Sequence, residues 1–245
     1  MTGILQDIVA EGERLLGIAS QEGVPMRLLG GVAVRLQAPT LPAAFDRQYK
    51  DLDFAAPKGA FREADRLLRD AGYKPHTAFN ALNQKERMLF FDTEHDRQVD
   101  VFVGAFRMSH EVPLEGRLEL DETSIPLAEL LLTKLQVIEL NEKDVRDAVA
   151  LLHGRELGDE DGETVNAGRI AQLCSQDWGL WRTITRNLET CRQRAGAYGD
   201  DLAGVAEQFS ALEERIEAEP KSRAWRLRAR IGERKRWYEL PEEPR

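Results

Sequence analysis

Cysteine is scarce: Cys174 and Cys191 are the two in a chain of 245 residues. No disulfide framework is expected, only two half-buried thiols in a reducing compartment. Histidine is nearly as rare. His76, His95, His110 and His153 show no metal-ligand spacing, so they are expected to be structural or surface groups. No apolar run approaches the roughly 20 residues that cross a bilayer. The opening segment MTGILQDIVAEGERLL carries acids where a secretion signal has a basic region and then a long apolar one. We expect an amphipathic helix in a cytoplasmic protein without membrane contact. There is no P-loop, no G-x-G-x-x-G fingerprint, and no Ser/His/Asp or Cys/His constellation. Internal repeats and low-complexity tracts are missing too.

What remains is an ordinary globular composition, 42% hydrophobic and 31% charged. The length allows a sheet-containing domain with a smaller helical part. The net charge of −9 is unevenly spread, because Lys221 to Arg236 holds eight basic residues against one acid, Glu233. An acidic body argues against non-specific nucleic-acid binding over the whole surface, while the basic segment leaves one local anionic contact open. Arg223, Arg226, Arg230 and Arg234 fall on one helical face, with Trp225 and Trp237 flanking the stretch. Two readings stand. One is a grip on RNA or another anionic acceptor, with aromatics for stacking. The other is an amphipathic helix whose arginines pair with the protein's own acids.

Hydrophobic spacing predicts a helix over 2–22 and a short strand over Met26–Leu29 that ends at Gly30-Gly31. A second helix is expected over Val32–Gln37, then a loop through Pro39 and Pro42 to about Phe45. Asp51–Ala55 reads as a strand stopped by Pro57, and 59–71 as a helix closed by Gly72. The runs 86–92 and 97–103, separated by Thr93–Asp96, give a hairpin signal. Gly116–Leu120 is a third strand candidate. After Pro126 come a helix over LAELLLTKLQVIEL and another over KDVRDAVALLHG. Residues 155–165, acidic and glycine-containing, read as a linker or long surface loop. Everything beyond is helical in pattern: 167–175, 178–194, 201–218 and 221–236. The expected fold class is α/β (α+β), a mixed-sheet domain over 1–154 followed by a helical C-terminal region over 166–245.

The chemistry centres on the strand DLDFA. Side chains alternate along a strand, so Asp51 and Asp53 share one face while Leu52 and Phe54 take the other. Two such carboxylates repel unless a cation or donor sits between them. Hard divalent cations such as Mg²⁺ favour oxygen ligands of this kind. Asp100, in RQVDVFVG, has a similar setting among Val99, Val101 and Phe102. If its strand pairs beside DLDFA, three carboxylates converge. Three carboxylates holding two metal ions suit phosphoryl or nucleotidyl transfer. Upstream, Gly30 and Gly31 lie between a strand and a helix start, where backbone amides and the helix dipole favour a phosphate.

Gly-Gly, a short helix, Asp-x-Asp on a strand and a third Asp on a later strand together resemble the nucleotidyltransferase superfamily. Within it, GGVAV followed by Arg47, Lys50 and DLDF is similar to the AbiEii-type nucleotidyltransferases, a group that includes toxins of toxin–antitoxin systems. The helix with Lys134 and the following Lys143-Asp144 and Asp147 strengthen the likeness, which spans roughly residues 25–153. The resemblance implies a nucleotidyltransferase-like sheet domain. It implies that Asp51 and Asp53 bind metal and that Asp100 completes the site or acts as base. Arg47 and Lys50 ahead of the acids, and Lys134, would serve nucleotide binding, Lys134 at the phosphates. Asp147 (or Asp144) would orient that lysine or the acceptor. Two features depart from the pattern. Nineteen residues separate Gly31 from Asp51, a gap lengthened by PTLPAAF. Gly31 also replaces a commoner Ser, which leaves the phosphate grip to backbone amides.

The implied activity is Mg²⁺-dependent transfer of a nucleoside monophosphate from a nucleoside triphosphate to an acceptor hydroxyl on RNA, protein or a small molecule. An antitoxin partner would follow from a toxin role. The alternative is a catalytically inactive nucleotide-binding or interaction module on the same fold. The bland readings of single residues stay beside these: solvated strand-edge acids at 51 and 53, an outward Asp100, a snorkelling Lys134, and Asp144 and Asp147 as helix-surface acids.

Overall fold

In a computed structural model that describes residues 3–38, 41, 45, 47–83, 86–199 and 202–240, Asp7 opens the first helix by accepting the Ala10 amide. Helix α1 therefore covers Ile8–Gln21 rather than the whole of 2–22, as a carboxylate at the cap position favours. Strand β1 (Arg27–Leu29) runs directly into α2 (Gly30–Gln37). Pro39, Pro42 and most of the loop expected after them lie outside the described residues. Strand β2 is Asp51–Ala56. Helix α3 (Phe61–Asp70) leads through β3 (Lys74–Pro75) to α4 (Thr77–Asn83), a helix the sequence pattern did not suggest. The hairpin follows as β4 (Arg87–Asp92) and β5 (Arg97–Val103).

These strands form one sheet in the order β1-β2-β5-β4-β3. β2 and β5 are parallel and the other pairs antiparallel, so the fold is mixed α/β. Alternation then sorts the side chains. Leu28, Leu52, Phe54, Met88, Phe90, Val99 and Val101 are fully buried on the face that α1 covers. Each such side chain contributes about 1.5–3 kcal/mol by leaving water. The opposite face carries Asp51, Asp53, Gln98, Asp100 and Arg87, because Asp53 is in register with Asp100, and Arg87 with Phe102.

Beyond the sheet, the structure corrects three expectations. Gly116–Leu120 is not a strand but a run of turns, with the Arg117 amide on Leu114 and the Leu120 amide on Arg117. The Arg117 side chain reaches down to Glu129 and Asp161 and holds the segment in that form. The extra strands are instead β6 (Ala105–Arg107) and β7 (Glu111–Pro113), an antiparallel pair. The helix expected to run to Leu140 ends early as α5 (Leu127–Leu135). Asn187 donates to the Leu135 and Val137 carbonyls, and buried Gln136 accepts the His110 amide. The two Asn187 bonds satisfy carbonyls that another turn would have used, and the Gln136 side chain is held by its own bond. Finally, the segment 155–165 holds β8 (Leu157–Gly158), which pairs in parallel with β9 (Val165–Asn166).

Helix α6 (Glu142–Leu152) is capped by Asn141, and behind it stand α7 (Ala167–Gln176), α8 (Trp178–Ala195), α9 (Ala203–Ala218) and α10 (Arg223–Ile231). One apolar cluster runs unbroken from α1 to α9. Cys174 and Cys191 are free and fully buried rather than half-buried. Burial pushes the Cys191 thiol up to about 12, which leaves it unreactive at neutral pH. Among the described residues no helix is long and apolar enough to cross a membrane.

Glu129 is the polar tie inside this core. It is fully buried on α5 and meets Arg117 at 2.8 Å and Arg169 of α7 at 2.9 Å. Removing one member of a buried ion cluster leaves the others uncompensated, at a cost of about 3–5 kcal/mol. Glu129→Ala should therefore lower the urea midpoint by that much in free energy, without changing the slope of the transition.

Candidate active site

The polar face of the sheet opens into a cavity of about 580 Å³ whose walls include Gly30, Asp53, Arg87, Thr133, Lys134 and Asp144. Gly30 sits where β1 becomes α2. Its φ is +70°, and a Cβ there would stand 2.0 Å from Asp53 Oδ2. No other residue fits that position, both for backbone strain and for contact. The carboxylate of Asp53 thus lies directly against the start of α2, whose first turn has no side-chain cap.

Gly31 has a different reason. A Cβ there would meet Arg47 Nη2 at 2.6 Å and the Tyr49 ring at 3.0 Å. The guanidinium of Arg47 lies against this bare backbone. It stacks 4.9 Å over Tyr49 and bonds both carboxylate oxygens of Asp147 at 2.7 Å. Asp147 also receives Lys134 Nζ at 2.9 Å. Burial works against the charge on Lys134, but Asp147 and Asp144 outweigh it and hold the amine above its ordinary range. Lys134 does not snorkel to solvent, being 9% exposed with its head in the cavity wall.

The three acids of the motif share one face but not one fate. Asp100 is 3% exposed; Arg87 Nε donates to its Oδ1 at 2.7 Å and Gln98 Nε2 to its Oδ2 at 2.6 Å. Asp53, its register neighbour, has no hydrogen bond or ion pair among the described residues. Burial first, then the charge of Asp100, push Asp53 up to about 7 against the opposing pull of Lys134. Asp51 is exposed and raised by the same two causes, with Lys143 and Lys50 pulling it down. Lys50 itself is exposed and does not line the cavity. Asp144, half-buried near Lys134 and Asp147, is raised mainly by its loss of water contact.

Among the described residues no three or more His, Cys, Asp or Glu side chains are gathered closely enough to hold a metal ion. Asp100 is turned toward Arg87 and Gln98, so the three carboxylates align without converging. The donor set nonetheless suits a hard cation: two same-face carboxylates, Asp51 and Asp53, lack any donor of their own. Arg87 is the residue that sequence patterning overlooked. Counting across the hairpin from the Asp92–Arg97 pair sets Arg87 opposite Phe102 and diagonal to Asp100, so the signal was there in the turn length.

A family model described as an uncharacterised nucleotidyltransferase matches residues 6–146. No protein of curated function matches the chain in sequence. Among solved structures, a lincosamide antibiotic adenylyltransferase, LnuA, with lincomycin bound, aligns at 17% identity and a TM-score of 0.41, over 57% of this chain and 92% of its own.

The raised Asp53 has a consequence for stability. Its proton is held in the native state from the ordinary value of 3.8 up to about 7, so the native state loses stability as pH rises through that window. Asp53→Asn removes the effect. Without metal, thermal melts should show the variant gaining on wild type as pH rises from about 4 to about 7 and holding that gain above it, with the two curves converging below pH 4.

Proposed function

The chain belongs to the family described as uncharacterised nucleotidyltransferase, and on that basis we propose that it moves a nucleoside monophosphate from a nucleoside triphosphate to an acceptor hydroxyl, with Mg²⁺ as cofactor. The acceptor oxygen bonds to the α-phosphorus as the bond to the bridging oxygen breaks and pyrophosphate leaves. The hydroxyl proton passes to a carboxylate of the Asp53–Asp100 pair. One observation carries the proposal: Asp53 is a half-buried carboxylate with no donor, in a cavity that also holds Lys134. Asp51 and Asp53 would hold the cation, with Asp100 completing the set. When bound, it supplies charge compensation at the attacking and leaving oxygens.

The remaining roles follow from position. Lys134 is assigned to the phosphates, and Asp147 keeps its amine charged and aimed. Gly30 and Gly31 bring the uncapped first turn of α2 to the same anion, with the Arg47 guanidinium beside it and exposed Lys50 at the approach to Asp51. Residues 1–154 are assigned to nucleotide chemistry and 166–245 to the acceptor side. Leu240, 59% exposed, reaches the cavity wall, and the Glu239 amide is pinned to the Ser109 carbonyl. The basic segment thereby ends at the mouth of the site.

That placement supports RNA as the acceptor. The guanidinium groups of Arg223, Arg226 and Arg230 are exposed and bind no other group among the described residues. Arg228 and Arg234 bind carbonyls of their own segment. Lys221 lies 4.0 Å from Glu217, so little of the segment is spent on the acidic body. The likeness to AbiEii-type enzymes supports a toxin-like role with an antitoxin partner, and the free thiols support a cytoplasmic setting.

The test is direct. Purified protein with α-labelled triphosphates, Mg²⁺ and total RNA should transfer label to RNA. Asp53→Asn should lower the rate by more than about 100-fold while remaining folded by circular dichroism. Label that stays in free nucleotide, with wild type and Asp53→Asn alike, sinks the proposal. Lys134→Ala removes a charge-assisted contact of about 1.5–3 kcal/mol, so the KM for triphosphate should rise about ten- to hundred-fold.

A further inference from the structure

We propose that Arg87 is a positioning residue that trades partners, holding Asp100 in the empty protein and turning to the triphosphate when it binds, which frees Asp100 for the cation; this rests on the nucleotidyltransferase reading. The geometry starts in the sheet. Arg87 on β4 and Asp100 on β5 share the polar face, two residues apart in register. Arg87 Nε donates to one Asp100 oxygen at 2.7 Å, and Gln98 covers the other at 2.6 Å. Both oxygens of the third carboxylate are therefore occupied, whereas neighbouring Asp53 has no donor. In the empty protein exposed Asp51 and neighbouring Asp53 are without donors, but Asp100, the register partner of Asp53, is taken.

The arginine is built to serve two partners. Its guanidinium lies 4.9 Å over the Phe102 ring and 5.5 Å over that of Phe79, so the two rings hold its place while leaving it able to turn in its own plane. It lines both the main cavity, with Gly30, Asp53 and Lys134, and a neighbouring cavity of about 290 Å³ with Asn83 and Arg107. Only Nε is engaged. The two Nη groups bind nothing among the described residues, yet they are not sealed away from the cavities. That free edge matches a phosphate in two-pronged geometry. A triphosphate carries more charge than one carboxylate and competes for the guanidinium. As Arg87 turns, Asp100 loses its counter-charge beside Asp53, and the pair becomes a site for a divalent cation. Nucleotide and metal then enter together, and metal binds poorly alone.

Mn²⁺ alone, followed by electron paramagnetic resonance on nucleotide-free full-length protein, reads the first half. Arg87→Met keeps the stem between the two phenylalanines and removes the charge. It should bind Mn²⁺ about ten- to hundred-fold more tightly than wild type, the effect of losing one cation within a few ångströms. Arg87→Met combined with Asp100→Asn should cancel that gain. Binding of a non-hydrolysable triphosphate without metal reads the second half: Arg87→Met should weaken it about tenfold, and Arg87→Lys should recover part. Arg87→Gln is a second neutral variant should the first not fold. Unchanged or weaker Mn²⁺ binding in both neutral variants overturns the proposal, and so does unchanged triphosphate binding. If wild type transfers label while Arg87 variants show neither effect, only this inference fails. If wild type neither binds triphosphate nor transfers label, the nucleotidyltransferase reading fails with it.

Discussion

The parallel pairing of β2 with β5 sets Asp53 and Asp100 side by side on one sheet face, and most of the site answers to the charge this creates. Two carboxylates at adjacent register positions cannot both ionise cheaply in a partly buried setting. Asp100 is neutralised from its other side by Arg87, across the hairpin. Asp53 is left with the start of α2 on one side and the cavity on the other. The pressure for glycine at position 30 comes from the same place, since the Asp53 carboxylate occupies the space any side chain would fill.

A second charge cluster lies one layer below. Asp147 on α6 joins Arg47, from the segment before β2, to Lys134 on α5. Buried ion clusters of this kind are weak contributors to stability but strong constraints on position. Here the constraint places a lysine amine in the cavity wall and a guanidinium against Gly31. A side chain at 31 would meet the Arg47 guanidinium and the Tyr49 ring, so a permanent cation stands beside this turn.

The helical part is joined to the sheet domain through polar ties as well as apolar packing. Glu129 holds Arg117 and Arg169 together, and Asn187 caps the early end of α5. Because α5 stops at Leu135, the chain turns at Val137–Asn141 and lets those residues line the cavity. The last described residues return to the same place: Trp237 packs on Trp178 and donates to Thr183, and Leu240 reaches the cavity beyond it. One end of the chain thereby becomes part of the wall of a site that the other end builds.

The sequence alone carried the motif strand, the Gly-Gly turn, the hairpin and the lysine helix, because each is written in local chemistry. Period-two alternation, a glycine at a strand-to-helix turn and an apolar helical stripe are all visible within a dozen residues. It misjudged Gly116–Leu120 and the length of α5, where long-range partners, Glu129 with Asp161 and Asn187, override local preference. It was silent on what each charge would meet. Arg47 and Asp147 are 100 residues apart in the chain, and no pattern within either segment announces the pair. Asp51, Asp53 and Asp100 were legible as a set, but only strand register decided that one is free, one is exposed and one is held by Arg87. Charge pairing depends on distances of a few ångströms across strands and helices, and those distances exist only once the chain has folded.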